Sequence, residues 1–250
     1  MRKYGLIGYP LGHSFSEKYF REKFIAENIS DCSYHNYPIN DISKFPILLK
    51  EHPDLCGLNI TIPYKTLIMN YIDISDRTVS EIGAVNVLKI KRDGSKTEIF
   101  GFNSDVTGIA GSVLPCKDPG MTDALILGTG GSSKAVAWTL KNMGINVTFV
   151  SRQKKPGLLT YSDIDARITD AVQLIVNTTP LGMFPDTGSK PALDYDFLDE
   201  RHTLFDLVYN PEMTAFLKTG QERGCRIITG LKMLYLQAEK SWEIWNNDDL

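Results

Sequence analysis

The residues best able to do chemistry fall in two places. The first is Gly128-Thr129-Gly130-Gly131-Ser132-Ser133, set between the apolar run Ala124–Leu127 and the helical stretch Lys134–Asn142. Gly128 permits a tight turn, Gly130 lets the backbone come close to a pyrophosphate, and Ser133 is small enough for a helix to pack closely on a strand. A helix that starts there offers backbone N–H groups and the positive end of its dipole to an anion. Ser133 stands where the GxGxxG pattern has its third glycine, so the turn alone also fits a nucleotide-free connection or a methyltransferase fold. The following strand narrows the choice. It ends Ser151-Arg152-Gln153-Lys154-Lys155, with no acid for a ribose 2′-OH and three cations where a 2′-phosphate would lie. That favours NADP over NAD, against the plainer reading of a solvated basic loop.

The second place is a set of polar residues at strand ends. Asn59-Ile60-Thr61 puts an amide and a hydroxyl on one strand face, with Lys65 beyond the break at Pro63. Asn86 is an amide in an apolar strand, and Asp105 is a carboxylate where the two halves of the chain join. Singly, each reads as a turn or capping residue. Along one edge, facing a dinucleotide domain, they outline a ligand site, because open α/β sheets bind ligands outside the carboxyl ends of their strands.

These groups need elements to hold them. Lys3–Gly8, Cys32–Ile39, Leu55–Thr61, Ala84–Lys91 and Thr97–Phe102 read as strands. Ser16 is the expected N-cap of a helix running to about Asn28, and Asp41–Glu51 and Asp76–Ile82 also read as helices. Arg92-Asp93-Gly94-Ser95 is a hairpin signal. From Asp105 the chain predicts a helix to Leu114, a breaker-rich loop Pro115–Gly120, then strand, Gly-rich turn, helix and the strand Asn146–Ser151, a βαβ unit. Later strands are Leu174–Asn177 and Thr203–Asp206, and later helices are Thr214–Arg223 and Leu231–Trp245. The alternation predicts an α/β fold with largely parallel sheets, in two domains joined near residues 102–106.

Composition sets the outer limits. The 250 residues are 42% hydrophobic and 23% charged, which excludes wholesale disorder, a collagen-like fibre and a small disulfide scaffold. Lys+Arg 27 against Asp+Glu 30 gives net −3, with no global attraction to nucleic acid or anionic lipid, so any anion must be caught locally. Cys32, Cys56, Cys116 and Cys225 are scattered, which implies free thiols in a reducing compartment. His13, His35, His52 and His202 show no metal-ligand spacing, and no metal is expected. Glycines and Pro10 interrupt any apolar run behind Arg2 and Lys3, and no stretch approaches the ~20 apolar residues of a membrane helix. A soluble, cytoplasmic protein is expected, without nucleic-acid or membrane partners.

Taken in order, the motifs resemble the shikimate dehydrogenase family. They are Gly8-Tyr9-Pro10-Leu11-Gly12-His13-Ser14-Phe15-Ser16, Asn59 to Lys65, Ile82-Gly83-Ala84-Val85-Asn86 and Gly101-Phe102-Asn103-Ser104-Asp105. The Gly-rich turn, Asn177-Thr178-Thr179-Pro180-Leu181-Gly182-Met183, Asp206-Leu207-Val208-Tyr209-Asn210-Pro211 and Gln237 complete them. The resemblance spans Tyr4 to Trp245 and implies an N-terminal α/β substrate domain plus a C-terminal Rossmann-type dinucleotide-binding domain. The first would comprise residues 1–103, completed by the C-terminal helix 229–250; the second, residues 104–228.

The implied reaction is reversible, NADPH-dependent reduction of 3-dehydroshikimate to shikimate in aromatic amino-acid and chorismate biosynthesis. Carried over by position, Lys65 and Asp105 form the catalytic pair. Ser14, Ser16 and Tyr209 would hold the substrate carboxylate, and Asn59, Thr61, Asn86 and Gln237 the ring hydroxyls, with Asp105 beside them. NADP would meet Gly128 to Ser133, Ser151, Arg152, Lys154, Lys155, Thr178 and Gly230. Two departures are visible. The family's Asn-Arg-Thr-x-x-Arg clamp reads Ser151-Arg152-Gln153-Lys154-Lys155-Pro156, leaving Lys154 or Lys155 as point charges in place of the second guanidinium. Pro156 to Gln173 is also short for the family's next helix plus a strand–helix step, and Pro156-Gly157 breaks such a helix. Val87 and Lys232 are smaller deviations. A quinate/shikimate dehydrogenase using NAD and a non-catalytic ligand-sensing homologue are the alternatives, and a monomer or homodimer is expected.

Overall fold

Strand β1 (Arg2–Gly8) is buried continuously from Tyr4 to Gly8, the pattern of a strand covered on both faces. It opens a computed structural model that describes residues 1–11, 15–94 and 96–247. Helix α1 (Phe15–Ala26), β2 (Cys32–Pro38), α2 (Phe45–Glu51), β3 (Leu55–Ile60), β4 (Ile74–Ser75), α3 (Arg77–Ile82), β5 (Val87–Asp93) and β6 (Lys96–Phe102) follow. Their strands form a sheet ordered β2-β1-β3-β5-β6-β4. β1 runs parallel to β2 and β3, whereas β3–β5 and β5–β6 are antiparallel. The sheet is therefore mixed where the sequence predicts it largely parallel. The hairpin turn, with Gly94 at φ 57, sets Asp93 opposite Lys96 and accounts for the antiparallel β5–β6 pair.

The chain divides into two compact units, Met1–Ser104 with Ala238–Leu250, and Asp105–Gln237. The second contains α4 (Asp105–Val113), β7 (Asp123–Leu127), α5 (Gly131–Asn142), β8 (Asn146–Ser151), β9 (Leu159–Thr160), α6 (Ala166–Ala171), β10 (Leu174–Asn177), β11 (Thr203–Asp206), α7 (Ala215–Glu222) and β12 (Arg226–Ile228). Its sheet is parallel throughout, ordered β12-β11-β10-β7-β8-β9. The order reverses at β7, which leaves a crevice at the carboxyl ends of β7 and β10, the place where such sheets take ligands. Leu125, Leu127, Val150, Ile175, Leu204 and Phe216 fill the core beneath.

The last helix, α8 (Gly230–Asn246), crosses the division. It joins the first unit from Ala238, not from residue 229 as expected. There Trp245 stacks on Tyr4 at 4.7 Å between ring centroids and donates its indole N–H to the Leu88 carbonyl (2.9 Å). Gly57 lets the ring lie flat on the sheet, since any Cβ there would collide with the indole.

Other boundaries move for identifiable reasons. Ser16 is the second residue of α1, which begins at Phe15, so it does not cap the helix. Ser14, with Gly12 and His13, lies outside the described residues. The expected helix Asp41–Glu51 divides into a 3₁₀ turn, Ile42–Lys44, capped by Asp41, and α2 with a proline in its first turn. After β8 the expected helix break is present, yet the short segment still carries a miniature step, β9 and the six-residue α6.

Candidate active site

β7 delivers the chain to Gly128, whose φ of +114° is strained for any L side chain. A Cβ there would also lie 2.6 Å from Thr178 Oγ1. That hydroxyl donates to the Leu127 carbonyl (2.6 Å), so Thr178 braces the turn from the end of β10. Gly130 is the N-cap of α5, and no side chain caps the helix. A Cβ built on Gly130 meets no atom within 4 Å, so packing does not require glycine there and the space over the helix start is open. Thr129 and Gly130 are exposed, and Gly131 and Ser132 are half-buried. An anion suits such a terminus. Ser133 differs: it is fully buried and donates to the Gly130 carbonyl (2.6 Å), which serves the close packing read from its size rather than a ligand.

At the end of β8, Ser151 is buried and accepts a bond from the Gln153 N–H (3.2 Å), which shapes the loop. Arg152, Lys154 and Lys155 are all exposed beyond it. Asp163 lies within the influence of Lys154, and its carboxyl is held below the usual range, chiefly by bonds from Thr160 and only slightly by that lysine. Gly230 is explained by packing, because a Cβ would sit 2.7–2.8 Å from the carbonyl oxygens of Val208, Asp206 and Leu207.

Those carbonyls belong to a loop anchored by Asp206, which the sequence places at the head of a family motif without giving it a role. Its fully buried carboxylate accepts from Thr214 Oγ1 (2.6 Å), Asn177 Nδ2 (2.9 Å) and the Val208 N–H (2.9 Å). Burial nevertheless pushes its pKa up to about 6, against the pull of those three donors. An acid ending the apolar run Thr203-Leu204-Phe205 is the signal that could have marked it. Tyr209, three residues on, is half-buried, and burial raises its phenol pKa.

In the first unit the expected polar groups interlock. Asn59 is 8% exposed; its amide N–H groups donate to Ser241 Oγ (2.9 Å) and the Asn86 carbonyl (3.4 Å), and its oxygen accepts from Tyr34 Oη (2.9 Å). Asn86, immediately before β5, donates to Ser104 Oγ (3.0 Å) and accepts the Ser104 N–H (2.7 Å). Ser16 hydrogen-bonds to Tyr34. Thr61 and Lys65 are half-buried just beyond β3. The Lys65 carbonyl accepts the Val85 N–H (2.7 Å), while Asn103 donates to the Ala84 carbonyl (2.9 Å), so three segments are laced together behind the lysine. Asp105, 2% exposed, is the first residue of α4 and is counted with the second unit, as are Tyr209 and Gln237. Tyr34 and Ser241 carry no motif in the sequence, and Ser104 stands there only as a motif neighbour of Asp105. Among the described residues there is no group of three His, Cys, Asp or Glu side chains suited to a metal, and no helix long and apolar enough to cross a membrane.

A mixed-sheet unit with a polar cluster at its strand ends, and a parallel-sheet unit with an open Gly-rich turn at its switch point, define a two-domain protein with a Rossmann-type dinucleotide-binding domain. Residues 6–88 match the model of the shikimate dehydrogenase substrate binding domain. The shikimate dehydrogenase (NADP(+)) of Methanosphaera stadtmanae is 33% identical over 259 residues, covering 96% of this chain and 90% of the relative. The crystal structure of shikimate dehydrogenase 1 from Peptoclostridium difficile superposes with a TM-score of 0.82 at 34% identity, covering 98% of this chain and 91% of that one. That of the Thermus thermophilus shikimate 5-dehydrogenase, in complex with NADP(H) and shikimate, gives 0.85 at 27% identity, covering 98% and 94%. The chain belongs to the shikimate dehydrogenase family.

Proposed function

We propose that the chain catalyses the reversible, NADPH-dependent reduction of 3-dehydroshikimate to shikimate, within aromatic amino-acid biosynthesis in the cytoplasm. The observation that carries this is Lys65, half-buried beyond β3 on a segment tied through Val85 and Asn103 to the polar groups around Asn86. The open helix start at Gly130 and the exposed Arg152, Lys154 and Lys155 fit a dinucleotide that carries a 2′-phosphate. Gly128 to Ser132 would take its pyrophosphate, and Arg152 with the two lysines its 2′-phosphate. When bound, NADPH supplies the hydride.

The protein's own groups do the rest. The Lys65 ammonium stabilises the negative charge that develops on the carbonyl oxygen and delivers a proton to it. Asp105 is its catalytic partner and accepts a hydrogen bond from a substrate hydroxyl. Asn59, Thr61, Asn86 and Gln237 select the ring hydroxyls, and Ser14, Ser16 and Tyr209 the carboxylate. Residues 1–104 with 238–250 then form the substrate domain, and 105–237 the cofactor domain. The partner is a small molecule, with no nucleic acid or membrane involved, and the protein acts as a monomer or homodimer.

Gln153 and Pro156 in the cation loop favour a second reading, in which NAD also serves. Steady-state oxidation of shikimate with NADP and NAD side by side tests both. NADPH formation is expected, and Lys65→Ala should lower kcat by about 10²–10⁴ with an unchanged melting temperature. Wild-type turnover in that variant would remove the mechanism.

A further inference from the structure

Ser241 is out of place by composition. It lies on α8 between Ala238 and Trp245, at spacings of three and four residues, within the stripe that buries against the first unit's core. It is completely buried. A hydroxyl in an apolar stripe is unfavourable unless it is hydrogen-bonded, and this one is bonded on two sides. It accepts from Asn59 Nδ2 at 2.9 Å and meets Ser104 Oγ at 3.2 Å.

The bonds around it have a direction. The Asn86 backbone carbonyl can only accept, so it fixes which end of the Asn59 amide faces it and leaves the Asn59 oxygen toward Tyr34. Tyr34 must then donate to Asn59, and its remaining capacity is to accept from Ser16. At the other end Ser241 accepts from Asn59 and meets Ser104 Oγ, where either hydroxyl can donate, and the Ser104 hydroxyl meets the Asn86 amide at 3.0 Å. The chain therefore runs unbroken from Ser16 through Tyr34, Asn59, Ser241 and Ser104 to Asn86. Both Asn59 N–H donors have protein partners, so it holds its neighbours, and toward a ring hydroxyl it offers the remaining acceptor site of its oxygen.

We infer that Tyr34 and Ser241 are positioning residues for the substrate, fixing Ser16 and Asn86 through Asn59 by one hydrogen-bond chain. The inference rests on the proposed reaction. It makes the aim of two substrate contacts depend on a hydroxyl delivered by the last helix. Buried polar chains of this kind act as a unit, so removing either hydroxyl leaves the other's partner unsatisfied.

The test is Ser241→Ala, Tyr34→Phe and the double variant, each measured for KM and kcat with shikimate and NADP, and for melting temperature. Each single change should raise KM for shikimate about tenfold, with a smaller change in kcat and no change in KM for NADP. The double variant should rise little beyond the larger single effect, because one chain is broken either way. Ser241→Thr, which restores a hydroxyl, should recover most of the lost affinity. Unchanged KM for shikimate in both single variants, or strictly additive effects, overturns the inference. A wild-type chain without shikimate turnover overturns the proposed reaction instead. Calorimetric titration of shikimate into wild type and these four variants then reads the hydrogen-bond chain directly, and affinity independent of both hydroxyls sinks it.

Discussion

Arg152, Lys154 and Lys155 are exposed side by side, yet they are not equivalent for phosphate recognition. A guanidinium offers a planar fork and a stacking face, whereas an ammonium is a hydrated point charge. Arg152→Ala should therefore raise KM for NADP about tenfold, and Lys154→Ala or Lys155→Ala by less, with KM for NAD nearly constant in all three. Added salt should shrink these differences, because the charges are exposed. Equal changes for the two cofactors would remove the 2′-phosphate assignment. Residue type alone conceals a second role. Ser133, Thr178 and Gly230 carry the family's spacing for cofactor contact, but their visible partners are protein: the Gly130 carbonyl, the Leu127 carbonyl and the 206–208 backbone. Small polar residues near a phosphate turn are needed as much to build it as to touch the ligand.

Among the elements, β11 carries a burden that its length hides. Its last residue, Asp206, ties together the end of β10 through Asn177, the N-cap of α7 through Thr214, and its own loop through Val208. Tyr195 lies within its field. The Asp206 pKa is raised from 3.8 to about 6, so between those values the folded protein binds a proton that the unfolded chain has released. The stability this group contributes is full below its ordinary value and is lost as pH rises from about 4 through about 6, an effect on the order of 3 kcal/mol in total. Asp206→Asn keeps the shape and removes the titration. Its stability relative to wild type should improve by about 1 kcal/mol between about pH 5 and about pH 7.5, read from denaturant melts. A constant difference across that range would show that Asp206 stays ionised throughout. Periodicity made the longer elements legible, including the βαβ unit around Gly128. It could not reveal β4 and β9, which have two residues each, because alternation needs more positions than that to show.

At the scale of the whole molecule, the last helix explains why its own sequence was hard to read. Leu234, Leu236, Ala238, Trp242 and Trp245 form only a loose face, because the helix serves two units in turn. Met233 and Leu234 are buried in its first half, and Ala238, Ser241, Ile244 and Trp245 in its second. No single stripe can describe both. The first unit is consequently built from chain ends that are far apart in sequence, and its core holds Tyr4, Phe20 and Phe24 together with Trp245. That ring lies 5.4 Å from Phe20 as well as stacking on Tyr4, and its N–H satisfies the Leu88 carbonyl inside the sheet. Trp245→Ala should thus cost about 3–5 kcal/mol, combining lost burial with a cavity. Trp245→Phe should recover the ring contacts but not the hydrogen bond, and fall between the two. Calorimetric melts of the three proteins, each with and without NADP, separate the possibilities. The stabilisation conferred by NADP should persist, since ligand linkage depends only on affinity for the folded cofactor domain. A Trp245→Ala protein that melts with wild type would mean that the helix end adds little to the first unit. Loss of the NADP-induced shift alone would mean that this helix end supports the cofactor domain instead.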